Sequence, residues 1–282
     1  MVLPVMAATG GSGRTTVAAL LAGEFAAFAR TVVLDTAPRL TSPWPEYGSA
    51  PESSGLAALA PDRPLTRSAV LAASVHRHSP GGRWQVLTDT REWHAPPLFL
   101  PEPPAAWYQL AAIGGWQAVI ADTVHPVAHD VLAARYEQRQ GQTRGWCELL
   151  YSVPLLCAAA TATGVQALQQ ATMALHAEGL PLQRMVVVLV GLSDGRPAPA
   201  VRAAGAMLAS RAAAVVHLPF DTQIRAHGLR EPLRTQSTTR QAADRIAKAV
   251  LDTAHGTWGT PLPAAPVPAA LSHPVARYLT RH

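Results

Sequence analysis

Only 15% of the side chains are charged and only 6% are aromatic, and the 282 residues include two cysteines and a single lysine, Lys248. Each shortage excludes something. Two cysteines cannot staple a chain of this length into a disulfide scaffold, and neither Cys147 nor Cys157 sits in a CxxC pair or beside histidines at zinc spacing. Both are read as reduced structural thiols. No run approaches the roughly 18 consecutive apolar residues of a membrane-spanning helix. The N-terminus MVLPVMAATGGSG has no basic region of the kind that opens a signal peptide, so a cytoplasmic setting is expected. The scarcity of lysine has a mundane source: a GC-rich genome turns lysine codons into arginine codons, which weakens the meaning of any arginine found where chemistry prefers lysine. A net charge of +5 permits contact with nucleic acid or anionic lipid without requiring it, because those partners want clustered charge.

Apolar residues are plentiful at 49%, enough for a sizeable core. They fall into short runs rich in β-branched residues, with alanine-rich segments between them. The runs Val2–Ala8, Thr31–Asp35, Trp84–Thr88, Ala118–Asp122, Pro154–Ala159, Met185–Val190 and Ala213–Leu218 read as strands. Thr16–Ala29, Gly164–Glu178, Pro199–Ser210 and Thr239–Ala254 read as helices. This alternation predicts an α/β fold: a doubly wound, mostly parallel sheet with helices on both faces. Ala37–Arg67 and the proline-rich Arg91–Pro104 read as long surface loops. Residues 1–255 are assigned to one domain and 256–282, with the sequence PLPAAPVP, to a mostly irregular extension docked by Trp258.

The chemistry concentrates at the first strand end, where Thr9-Gly10-Gly11-Ser12-Gly13-Arg14-Thr15-Thr16 leads into a helix. Glycines let successive backbone N–H groups converge on phosphate oxygens, and the helix N-terminus adds the positive end of its dipole. Gly10, Gly11, Ser12, Gly13, Arg14, Thr15 and Thr16 are therefore the candidate phosphate-binding residues, and Thr15 stands where a hydroxyl can ligate Mg²⁺.

GGSGRTT resembles the deviant Walker A loop of the MinD/ParA family of P-loop ATPases, whose pattern is KGGxGKTT. Three more segments match in family order. Val32-Val33-Leu34-Asp35-Thr36-Ala37-Pro38 resembles the second strand and its DxDP ending. Trp116-Gln117-Ala118-Val119-Ile120-Ala121-Asp122-Thr123 resembles the Walker B strand, followed by a switch II turn holding His125. Val215–Arg225 resembles the closing segment of hydrophobic-Pro-aromatic-Asp-x-x-hydrophobic-Arg. The resemblance implies a P-loop fold, ATP or ADP as ligand, and Mg²⁺ held directly or through water by Thr15, Asp35 and Asp122. Asp35 and Asp122 are also its candidate catalytic acids.

Three groups of the family pattern are replaced. Thr9 stands for the signature lysine that crosses to the partner subunit, Arg14 for the loop lysine, and Ala37 for the aspartate that positions the attacking water. Phosphoryl transfer depends on in-line placement and preorganised charge, so these losses predict nucleotide binding with weak or absent hydrolysis and a scaffold or positioning role. The alternatives are an active switch of MinD/ParA type and a structural module without ligand. Expected partners are a protein held by the Pro/Trp-rich loops, DNA through the basic stretch Arg225–Lys248, and a homodimer not coupled to nucleotide. Leu271, Val275, Tyr278 and Leu279 give only a short amphipathic pattern, so no membrane contact is expected.

Overall fold

All seven expected strands form; those at Val2–Ala7, Thr31–Asp35, Leu155–Ala159 and Val186–Val190 are buried on both sides, as suits the middle of a sheet covered on two faces. A computed structural model describes residues 1–47, 54–59 and 62–260. Its strands are β1 (Val2–Ala7), β2 (Thr31–Asp35), β3 (Val75–Ser79), β4 (Gly82–Leu87), β5 (Ala118–Pro126), β6 (Leu155–Ala159), β7 (Val186–Val190) and β8 (Ala214–Leu218). They make one sheet in the order β3-β4-β2-β5-β1-β6-β7-β8, in which every pairing is parallel except that of β3 with β4. The antiparallel hairpin was not expected. Val75-His76-Arg77-His78-Ser79 alternates in exposure, with His76 and His78 facing out, as an edge strand does, and it turns back through Gly81 and Gly82.

The helices are α1 (Arg14–Phe25), α2 (Arg67–Ala73), α3 (Pro104–Gly114), α4 (Val127–Tyr136), α5 (Gln142–Glu148), α6 (Ala162–Ala177), α7 (Pro199–Leu208), α8 (Thr222–His227) and α9 (Ser237–Trp258). Alternate strand residues feed opposite faces. Leu3, Val5, Val33, Ile120, Leu155 and Val188 pack with α1 and α9. On the other face, Met6, Leu156 and Val187 pack with α4, α6 and α7, while Val2, Leu34 and Ala121 pack with α2, α3 and α5. The segment read as a loop from Ala37 contains 3-10 turns at Arg39–Thr41, Trp44–Tyr47 and Leu56–Ala58.

At the other end of the chain, α9 runs three residues beyond 255 and carries Trp258 itself. That ring meets Tyr151 edge-on at 5.6 Å, and the Arg184 guanidinium lies over it at 5.7 Å. Residues 261–282, including Leu271, Val275, Tyr278 and Leu279, lie outside the described residues. Among the described residues no helix is long and apolar enough to cross a membrane.

Candidate functional site

Strand β1 is central, and the chain crosses to β2 on one side of it and later to β6 on the other. The carboxyl end of β1 is thus a topological switch point, where α/β sheets leave a crevice for ligands. The Gly10–Thr16 loop sits there. Gly11 (φ 71°) and Gly13 (φ 78°) adopt the left-handed conformation, and Gly13 caps the N-terminus of α1. A side chain at Gly13 would stand 2.8 Å from a methyl of Val190, whereas one at Gly10 would meet nothing within 4 Å. The hydroxyl of Ser12 is buried without a hydrogen-bond partner. Opposite the loop, Gly191, Leu192, Pro219, Phe220, Asp221 and Arg225 border a cleft of about 240 Å³ that also touches Gly11, Gly13 and Thr16. The late segment and the glycine loop, some 200 residues apart in sequence, therefore form one site.

Asp35 ends β2 and pairs in register with Asp122, midway along the neighbouring β5. Both are buried. The Oδ2 of Asp35 accepts hydrogen bonds from the Ser42 hydroxyl (2.6 Å) and the Thr88 hydroxyl (2.5 Å), and its Oδ1 accepts one from the Ala37 N–H (3.2 Å). Burial nevertheless pushes its pKa up to about 7, with the Asp122 charge adding to the rise and the hydroxyls opposing it. Asp122 Oδ2 accepts from the indole N–H of Trp44 at 2.8 Å. Burial raises the pKa of Asp122 as well, against the pull of the Thr15 hydroxyl, the Trp44 indole and the Arg14 charge. Arg14 does not lie free: its guanidinium donates to the carbonyl of His125 at 3.4 Å, which brings residues 124–126 onto the loop. Burial lowers the Arg14 pKa, and Asp122 opposes that.

Sequence reasoning missed the residues that hold these carboxylates. Ser42, Trp44 and Thr88 are ordinary residues in sequence, and only the fold brings them to the carboxylates. Trp44 lies in the segment read as the Ala37–Arg67 loop, yet it is 3% exposed and meets Trp84 and Tyr47 edge-on. Trp84, Trp107, Trp116 and Trp146 are buried too, which leaves Trp93 as the exposed ring of the proline-rich loop, with Phe99 beside it in sequence. Asp89, which follows Thr88 by one residue, is buried and paired with Arg39 (3.4 Å) and Arg91 (2.8 Å).

These donors bear on magnesium. The ion demands near-octahedral oxygen ligands and gives up its waters reluctantly. Asp122, 4% exposed, is closed in by an indole N–H and a hydroxyl, and the Arg14 guanidinium would repel a second cation. Thr15, Asp35 and Asp122 as arranged do not fit Mg²⁺. Among the described residues there is no other cluster of three His, Cys, Asp or Glu side chains that could hold a metal ion.

The architecture has counterparts of the same fold among solved structures. The MinD cell division ATPase of Pyrococcus furiosus matches with a TM-score of 0.51 at 17% identity, over 89% of this chain and 98% of that one. The fold is that of the MinD/ParA ATPases. A chain of the MinC:MinD cell division complex of Aquifex aeolicus matches the MinD/ParA fold seen here at 0.53 and 12% identity, over 94% and 98% of the two chains. The ParA of pNOB8, solved bound to nonspecific DNA, matches at 0.52 and 13% identity, over 90% and 98%. No family model and no curated protein matches the sequence.

Proposed function

We propose that the chain is a MinD/ParA-type protein that holds ATP or ADP at the Gly10–Thr16 loop, turns it over slowly or not at all, and serves as a scaffold or positioning factor. The observation that carries this reading is the cradle itself: two left-handed glycines at the N-terminus of α1, opening onto the cleft formed by Leu192 and Pro219–Asp221. Backbone N–H groups and the helix dipole favour phosphate at the loop, and the apolar cleft suits a planar base.

Weak hydrolysis follows from Ala37, which has no carboxylate to orient a water, and from Asp35 and Asp122, whose oxygens are already engaged by Ser42, Thr88 and Trp44. An active switch is the competing reading. Steady-state phosphate release separates the two: we expect a rate at background, and a magnesium-dependent rate abolished by Thr15→Ala would overturn the proposal.

Partner contacts belong to the same proposal. Trp93 and Phe99 offer exposed aromatic surface to a protein partner. Arg225, Arg230, Arg234, Arg240, Arg245 and Lys248 are all exposed, and Glu231, one of the two acids among them, is turned to Arg77 at 3.1 Å. That leaves a surface able to meet DNA phosphates without regard to sequence. A cytoplasmic setting accords with these partners.

A further inference from the structure

The Trp44 indole engages one carboxylate oxygen of Asp122, the residue that aligns with the Walker B acid. Its indole N–H reaches Asp122 Oδ2 at 2.8 Å, while its backbone N–H donates to the Ser42 hydroxyl at 3.1 Å, and that hydroxyl donates to Asp35 Oδ2 at 2.6 Å. Two residues of one turn, Ser42 and Trp44, therefore serve both buried carboxylates. The indole cannot easily swing away, because its ring meets Trp84 at 6.0 Å and Tyr47 at 6.4 Å, both nearly perpendicular. Metal entry would strand a buried N–H donor, which is costly, and would bring a divalent ion against the Arg14 guanidinium. Arginine is itself a permanent cation with donors suited to phosphate oxygens, so the positive charge that phosphates require is already part of the chain.

We infer that the Gly10–Thr16 site takes nucleotide without a divalent cation, with Arg14 supplying the charge and Trp44 capping Asp122 against metal. This rests on the nucleotide-binding reading above. Calorimetric titration of the full chain with ADP and with ATP, in excess magnesium and in EDTA, tests both. The two dissociation constants are expected to agree within about threefold, which is about 0.65 kcal/mol. A larger gain from magnesium overturns the inference while leaving nucleotide binding intact. Absence of binding in both buffers overturns the nucleotide reading and this inference with it.

Trp44→Phe keeps an aromatic ring against Trp84 and Tyr47 but removes the N–H. In that variant magnesium is expected to strengthen binding by more than about tenfold. If the variant folds and stays indifferent to magnesium, Trp44 is not the cap. Should it fail to fold, the wild-type indole resonance serves instead, in ¹⁵N-labelled protein saturated with ADP. A Trp44 Nε1–H signal unmoved by magnesium is the expected result, and one that shifts as magnesium is added contradicts the cap.

Discussion

His125 sits where the glycine loop meets the end of β5, because its carbonyl accepts from Arg14. Its Nε2 is buried without a partner. Burial pushes the imidazole pKa down to about 4; Asp130 opposes that shift and Arg14 adds to it. An unfolded chain takes up this proton near pH 6.5, whereas the folded one does not until about pH 4, so stability falls as pH is lowered through that window. The loss from this residue is at most about 1.4 kcal/mol per pH unit. Urea unfolding at pH 7 and pH 4.5 checks it. We expect the wild type to lose more stability than His125→Gln between those pH values, by more than about 1.5 kcal/mol, and equal losses would contradict the burial argument.

At the scale of elements, the loop and helix α1 form a unit whose glycines differ in what they do. Gly13→Ala forces a side chain into the left-handed region and against Val190 at 2.8 Å, and is expected to cost about 2 kcal/mol or more of stability. Gly10→Ala points into open space and is expected to change stability by less than about 0.5 kcal/mol. Equal effects in denaturant titrations would show that the loop is not held as described. Most elements were legible because their signals are local: seven apolar strands, the glycine loop and the late Pro219-Phe220-Asp221 segment are each contained in a short window. The β3–β4 hairpin was not, since Val75-His76-Arg77-His78-Ser79 carries three basic or imidazole side chains and gains its place only by edge pairing. Helices α2, α3 and α8 were not among the expected ones either, and nor were α4 and α5. Asp130 ties them together by accepting the Gln142 and Thr143 N–H groups, a link set by the fold rather than by periodicity. The hold of Trp44 on Asp122 spans 78 residues, so no sequence window contains it.

Taken whole, the molecule keeps the sheet, switch point and cradle of the MinD/ParA fold while its own side chains serve the carboxylates beside the cradle. Dimerisation should reflect this. Thr9 has neither the length nor the charge to reach a partner's phosphates, so we expect sedimentation to give the same association state with and without ATP. Monomers that pair only when ATP is added would contradict that expectation. The nucleotide reading rests on the Gly10–Thr16 loop holding phosphate and on Arg14 supplying the charge. Calorimetric titration of ATP into the wild type and into Arg14→Ala tests it most directly. We expect saturable binding at one site per chain, weakened by about 2 kcal/mol, or roughly thirtyfold, in the variant. Binding unchanged by Arg14→Ala, or no binding by the wild type, would contradict it.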